Sequence, residues 1–292
     1  SVPLLPPLRP PVSRFFLHVP VHLPVGSEVL HFCLPVIPGS LPGNVTCPTV
    51  WLYFLFLFLP RCPFFRIGFP RIVGVFAPIS IDRLRGMDNP MSPDRYALRW
   101  LIDSWSSLNP NELYYRGYYN NLACVQLPKT QIDRVRNEIP ALRARGVNVM
   151  RVECIRQCWA SDPLTLYMAA RLMWNVNLDV DGTLLEFYRL FYGPAEQPMR
   201  QYHEGLESAI RDTPYFTGSS YVYFPTFMDH PRREQLRGLL EQAAAAIGDT
   251  PSIYAQRLDA IRQGYRRMDL FLDMMLARNR HDYQAAHALM LQ

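Results

Sequence analysis

Residues 162–202, DPLTLYMAARLMWNVNLDVDGTLLEFYRLFYGPAEQPMRQY, leave few choices of local structure: they spell three short helices separated by sharp stops. Asp162 stands where a capping side chain belongs, and Pro163 takes the first helical position, where its missing N–H costs nothing. Leu164, Tyr167, Met168, Arg171, Leu172 and Trp174 follow at mostly helical spacing. Asp179 or Asp181 starts the second helix, whose apolar set is Leu184, Leu185, Tyr188, Leu190 and Phe191. Gly193-Pro194 ends it, because glycine accepts a left-handed cap and the residue before a proline avoids the helical region. Pro194 then opens the third helix.

Upstream, residues 71–153 alternate strand and helix. Residues 71–77, RIVGVFA, read as a short buried strand. A helix opens at Ser92-Pro93 and runs to about Ser107, with Tyr96, Leu98, Trp100, Leu101 and Trp105 as its apolar set. Residues 112–120, ELYYRGYYN, form an aromatic-rich strand. Thr130 caps a helix that Gly146 stops, with Pro140 expected to kink or divide it, and residues 147–153 make a third strand. This β-α-β-α-β order predicts parallel strands with helical crossovers. Helices are expected over residues 231–247, 251–278 and 282–291, the second with an apolar stripe through Ile253, Leu258, Ile261, Tyr265, Met268, Leu272 and Met275.

The string YMAARLMWN…DVD…FYRLFYGPA…PM…Y resembles the C-terminal half of a bacterial glycoside-hydrolase-like family, a domain of unknown function distantly similar to α-glucuronidases. The resemblance covers roughly residues 71–211, with its most specific part in the RLMWN…FYGPA stretch. It implies an α/β fold: the C-terminal part of a (β/α)8 barrel followed by an α-helical bundle. Three strands cannot close a barrel that needs eight, so the expectation is a partial barrel with exposed strand edges, unless another chain or the N-terminal segment covers them. The domain division expected is an irregular segment at 1–70, a partial barrel at 71–160 and a helical region at 161–292.

The first seventy residues differ from the rest. They hold a single acidic residue, Glu28, with many prolines and no sustained period, and they are read as irregular. The apolar run at residues 50–59 spans ten residues, short of the about 17–25 a membrane helix needs, and it lacks the layout of a secretory leader. The segment is too apolar for a solvated linker. It is read as a frame-shifted or misjoined stretch standing where further barrel strands belong, which would leave the chain truncated and inactive on its own.

Composition narrows the partners. The net charge of +5 is modest, and the basic residues form no stripe, so nucleic acid is not expected, nor is a membrane. Of the 30 basic residues only Lys129 is a lysine. The six cysteines include no C-x-x-C pair; Cys154 and Cys158 read as small apolar residues, and no metal site is expected. No Rossmann, P-loop, G-x-S-x-G or H-E-x-x-H pattern is present, and no cofactor is expected.

In barrel enzymes chemistry sits at the C-terminal ends of the strands. Glu153 ends the third strand and is the candidate acid or base, with an ion pair to Arg151 or Arg156 as the purely structural alternative. Tyr118, Tyr119 and Asn120 end the second strand and, with Trp159, are the candidate sugar contacts, since aromatic rings take sugar faces and a phenol orients hydroxyls. Strand alternation lets only one of the two tyrosines point inward, and Arg116 shares the face of Tyr118. Asp82 and Asp88 read as loop residues facing solvent, and His203 and His230 as surface histidines. The resemblance implies metal-free acid/base hydrolysis of a glycosidic bond in an intact family member. That needs two carboxylates roughly 5–5.5 Å or 6.5–9.5 Å apart, and the sequence offers no clear partner for Glu153. The rival reading is a non-catalytic carbohydrate-binding or interaction module.

Overall fold

The computed structural model describes residues 73–79, 81–90, 92–108, 110, 112–120, 127–154, 160–214 and 224–292, together with the backbone of two strands at 15–22 and 29–36. The strands are β1 (Phe15–His22), β2 (Val29–Val36), β3 (Val73–Phe76), β4 (Glu112–Asn120) and β5 (Val149–Cys154). They form one open sheet in the order β2-β1-β3-β4-β5. β3, β4 and β5 are parallel, with Val75 opposite Tyr114 and Tyr118 opposite Glu153.

The expectation of an irregular N-terminal segment is corrected by β1 and β2, which pair antiparallel from Phe15↔Val36 to His22↔Val29. Prolines hid them. Pro20 and Pro35 break the usual strand signature, yet both are tolerated here because β2 is an outer strand and β1 meets β3 only at His18↔Val75. β1 thereby covers the outer edge of β3. β5 ends the sheet on the other side.

Helix α1 (Pro93–Ser106) connects β3 to β4, and α2 (Ile132–Ala144) connects β4 to β5. Both lie on one face of the sheet: Leu98 and Ile102 of α1 and Leu142 of α2 share a core with Phe76, Leu113 and Tyr115. Alternation along β4 puts Tyr114, Arg116 and Tyr118 on the opposite face. The buried stripe of α1 is Arg95, Leu98 and Ile102, whereas Tyr96 and Trp100 of the expected apolar set are exposed. Pro140 sits inside α2 without dividing it.

The remaining helices are α3 (Pro163–Trp174), α4 (Val180–Tyr192), α5 (Glu196–Arg211), α6 (Phe224–Phe227), α7 (His230–Ile247), α8 (Ile253–Asn279) and α9 (Tyr283–Met290), with a 3-10 turn at Gly193–Ala195. Their boundaries follow local chemistry. The Asp179 carboxylate accepts from Gly182 N at 3.1 Å and starts α4, which resolves the choice between Asp179 and Asp181. Asp229, Ser252 and Asp282 cap α7, α8 and α9 in the same way. α3 lies against α2, and the outer stripe of α2 (Ile132, Val135, Ile139) joins Leu164, Met168 and Leu172 in a core that continues into α5, α7 and α8. Among the described residues no helix is long and apolar enough to cross a membrane.

Gly193 ends α4 at φ 54°, and a Cβ there would lie 2.6 Å from the Tyr254 ring of α8. Gly193→Ala therefore combines a left-handed backbone with a clash. It is expected to cost about 1–3 kcal/mol, read as a lower midpoint in urea; a change within experimental error would overturn this account.

Candidate functional site

The C-terminal ends of β3, β4 and β5 bring three predicted features together. Tyr118 on β4 lies directly across from Glu153 on β5, and Arg116, two residues back on the same face, reaches across to ion-pair with Glu153. The expected alternative partners, Arg151 and Arg156, do not take this role: Arg151 stands across from Arg116 in the register, and Arg156 lies outside the described residues. The Arg116 and Glu153 side chains are 39% and 26% exposed, so the pair borders solvent. The hydrogen bond to Glu153 raises the Arg116 pKa. Two cations lie over the Tyr118 ring, which is 6% exposed: the Arg116 guanidinium is 5.4 Å from its centroid and Arg83, from the segment after β3, is 5.3 Å away. Burial raises the Tyr118 phenol, with Arg116 pulling the other way.

Tyr119 does not join them. Strand alternation turns it to the helical face, where it is fully buried and its hydroxyl faces Glu138 Oε1 at 3.4 Å. Its expected sugar contact is therefore corrected to a role in the core. Asn120 closes β4, but its side chain and all of Trp159 lie outside the described residues.

Beneath the site is a buried polar network that sequence reading missed. Glu138 of α2 accepts from Arg95 Nη1 at 3.0 Å, Arg134 Nε at 3.1 Å and the Tyr115 hydroxyl at 2.8 Å. Burial alone would raise the Glu138 carboxyl, but Arg134 and Arg95 outweigh it and hold it below its ordinary value. Each arginine also donates once to the segment after β3: Arg95 Nε to Asp82 O at 2.7 Å and Arg134 Nη1 to Arg83 O at 2.8 Å. Gln131 Nε2 also donates to Arg83 O, at 2.5 Å. The segment expected to face solvent is thus fastened inside, with Asp82 and Arg83 only 1% and 4% exposed, while Asp88 is exposed as expected. The signal was present in the sequence. Arg95 and Glu138 sit on the apolar stripes of their own helices, at helical spacing from Leu98 and Ile102 and from Val135 and Leu142.

A second buried relay ties the sheet to the bundle. His203 of α5, expected at the surface, is 1% exposed. Its Nδ1 lies 3.1 Å from Thr130 Oγ1 and its Nε2 2.9 Å from the Tyr192 hydroxyl. Thr130, expected to cap α2, spends its hydroxyl here instead, and Gln131 takes the N-cap position. His230 is exposed as expected. A cavity of about 320 Å³ lies beside the start of α2, lined by Arg85, Gln131, Arg134, Glu207 and Arg211 among others. Glu207 Oε1 accepts from Asp133 N at 2.7 Å there, and burial pushes its carboxyl up to about 7. Among the described residues no group of three or more His, Cys, Asp or Glu side chains is placed to hold a metal ion.

What the trio of Arg116, Tyr118 and Glu153 offers chemically is a fixed cation and a partly exposed carboxylate, backed by a buried tyrosine ring, within one site at the strand ends. Of the other carboxylates in this part of the fold, Asp82 accepts from Leu84 N at 3.0 Å, Glu138 is enclosed by its arginines and Asp162 is fully buried, whereas Asp88 is exposed and Asp94 partly so. A family model described as a domain of unknown function (DUF4838) matches residues 46–204, more than half of the chain, and the chain belongs to that family. No curated protein and no solved structure matches.

Proposed function

We propose that this member of the DUF4838 family is a carbohydrate-active protein that holds a sugar on the open face of its sheet, at Tyr118, Arg116 and Glu153. The observation that carries the reading is the single site these three side chains make at the C-terminal ends of adjacent parallel strands. The Tyr118 ring, itself buried, backs the site and holds the Arg116 guanidinium in place, and the sugar lies against the partly exposed edge that Arg116 and Glu153 form. Glu153 accepts from sugar hydroxyls while its ion pair with Arg116 fixes it in place. The arrangement of β3, β4 and β5 supports a finer reading of the fold as the C-terminal part of a (β/α)8 scaffold. The strands follow one another in sequence order, and both crossover helices lie on one face, as they do around a barrel rather than in a doubly wound sheet. The opposite face then corresponds to the barrel interior.

Binding is favoured over hydrolysis because the partly exposed Glu153 is tied up in an ion pair with Arg116, which suits a fixed hydrogen-bond acceptor better than a group that must give and take a proton. Metal-free acid/base hydrolysis with Glu153 as acid or base is the second reading. It requires a facing carboxylate from elsewhere in an intact family member. Calorimetric titration with a panel of neutral and glucuronic-acid-bearing oligosaccharides tests both. Tyr118→Ala is expected to weaken binding about tenfold or more and Glu153→Gln to weaken it less, with Tyr283→Ala on exposed α9 leaving it unchanged. Absence of binding to every sugar in the panel would overturn the reading; hydrolysis of any of them, abolished by Glu153→Gln, would move the assignment to an enzyme.

A further inference from the structure

Lys129 is the single lysine among 30 basic residues, in a chain that otherwise uses arginine for every cation. It does not sit on the surface, where the two residue types are easily exchanged. It is 9% exposed, in the connection between β4 and α2. Its ammonium donates to the carbonyl oxygen of Tyr119, next to the last residue of β4. Its backbone N–H donates to Ser161 O at 3.0 Å, in the connection that follows β5. Two residues on, Gln131 N donates to Thr165 Oγ1 at 2.9 Å and repeats the same crossing. Asp162, beside Ser161, is fully buried, and burial pushes its carboxyl up to about 7 against the pull of the Lys129 charge.

These contacts join the ends of the two strands that carry Tyr118 and Glu153. We infer that Lys129 is the positioning residue of the candidate sugar site: it clamps the end of β4 to the segment after β5 and so fixes the Tyr118 ring relative to the Glu153 carboxylate. The inference rests on the sugar-binding reading for its consequence but not for its geometry. The identity of the side chain follows from what the place demands. An ammonium is a compact charge on an unbranched stem, with rotatable donors that can be aimed at a single carbonyl in a closed space. A guanidinium is planar and presents five donors in a rigid fork, and inside this junction most of them would be buried unpaired. Arginine is therefore expected to fail here although it serves at every other basic position.

The test uses the full chain with Lys129→Arg, Lys129→Met and Tyr118→Ala. Amide hydrogen exchange needs no ligand. Both Lys129 variants are expected to speed exchange at residues 117–120 by about tenfold while leaving α7 and α8 unchanged. Unchanged exchange at 117–120, or a rise of equal size across the whole chain, overturns the inference whatever the protein binds. Oligosaccharide affinity supplies the second arm. Lys129→Arg is expected to weaken binding about tenfold in the wild-type background and by little in the Tyr118→Ala background, because it acts through the tyrosine. Equal losses in both backgrounds would mean that Lys129 acts by general destabilisation and would overturn the inference. Failure of the wild type to bind any sugar would overturn the proposed function alone and leave the exchange result to decide the clamp.

Discussion

Replacing Glu138 with alanine is expected to be among the most damaging single changes in this protein, at about 3–5 kcal/mol. The damage comes from uncompensated charge in the interior. Glu138 is fully buried and is the shared ion-pair partner of Arg95, itself fully buried, and Arg134, which is 4% exposed. Without the carboxylate, two guanidinium groups remain inside with no counter-charge, and the Tyr115 hydroxyl is left without its acceptor. Folded chains are stable by only about 5–15 kcal/mol, so this loss takes a large share of the total. Glu138→Gln keeps the shape and one acceptor oxygen but still leaves the charges uncompensated, and should fall between wild type and Glu138→Ala. The damage should also travel. Arg95 and Arg134 hold the carbonyls of Asp82 and Arg83, and Arg83 covers the Tyr118 ring. Urea unfolding of the three proteins checks the stabilities, and a Glu138→Ala value within about 1 kcal/mol of wild type would show that the network carries little.

That network also marks where sequence reading stops. The helices were legible because their ends are written locally: Pro163, Asp179 and Gly193-Pro194 each act within a few residues of themselves, although Asp162, expected to cap α3, makes no capping hydrogen bond with its side chain. The parallel strands were legible because β4 and β5 alternate with helices in a βα rhythm. The site was half legible. Glu153, Tyr118 and the shared face of Arg116 follow from strand period alone, but the choice of Arg116 over Arg151 as the partner depends on how one strand lies beside the next. Arg83 was hidden for the same reason: its sequence neighbours, Asp82 and Arg85, look like a solvated loop, and the distant Gln131 and Arg134 hold its carbonyl inside. His203 was misplaced because its helix is rich in polar residues, and the burial comes from Thr130 and Tyr192, 73 and 11 residues away. Each failure has one physical root. A polar side chain is read as exposed unless its partner is near in sequence, and here the partners are far.

His203 makes stability depend on acid in a way that can be isolated. Burial lowers its pKa to about 3, against 6.5 for an open histidine. Between those values the unfolded chain takes up a proton that the folded chain refuses. The contribution of the neutral buried ring is therefore complete above about pH 6.5 and is lost as the pH falls toward 3. A shift of that size corresponds to about 5 kcal/mol at most. Asp162 and Glu207 act in the opposite sense, since burial raises each of them to about 7 and makes the folded state prefer the protonated form as their window is crossed. The pH dependence of the wild type alone is thus a sum of opposing slopes and would not report on His203. The difference between wild type and His203→Gln does, because both proteins carry the same carboxylates. Glutamine can still bond Thr130 and Tyr192 but does not titrate. The stability of wild type relative to His203→Gln is expected to rise steadily from about pH 4 to pH 6.5 and then stay flat to pH 8. Urea midpoints at half-unit steps of pH give that curve. A difference that does not change with pH would mean that the imidazole is reached by water and titrates like an open histidine, and the relay from Thr130 through His203 to Tyr192 could not be the closed junction between sheet and bundle described here.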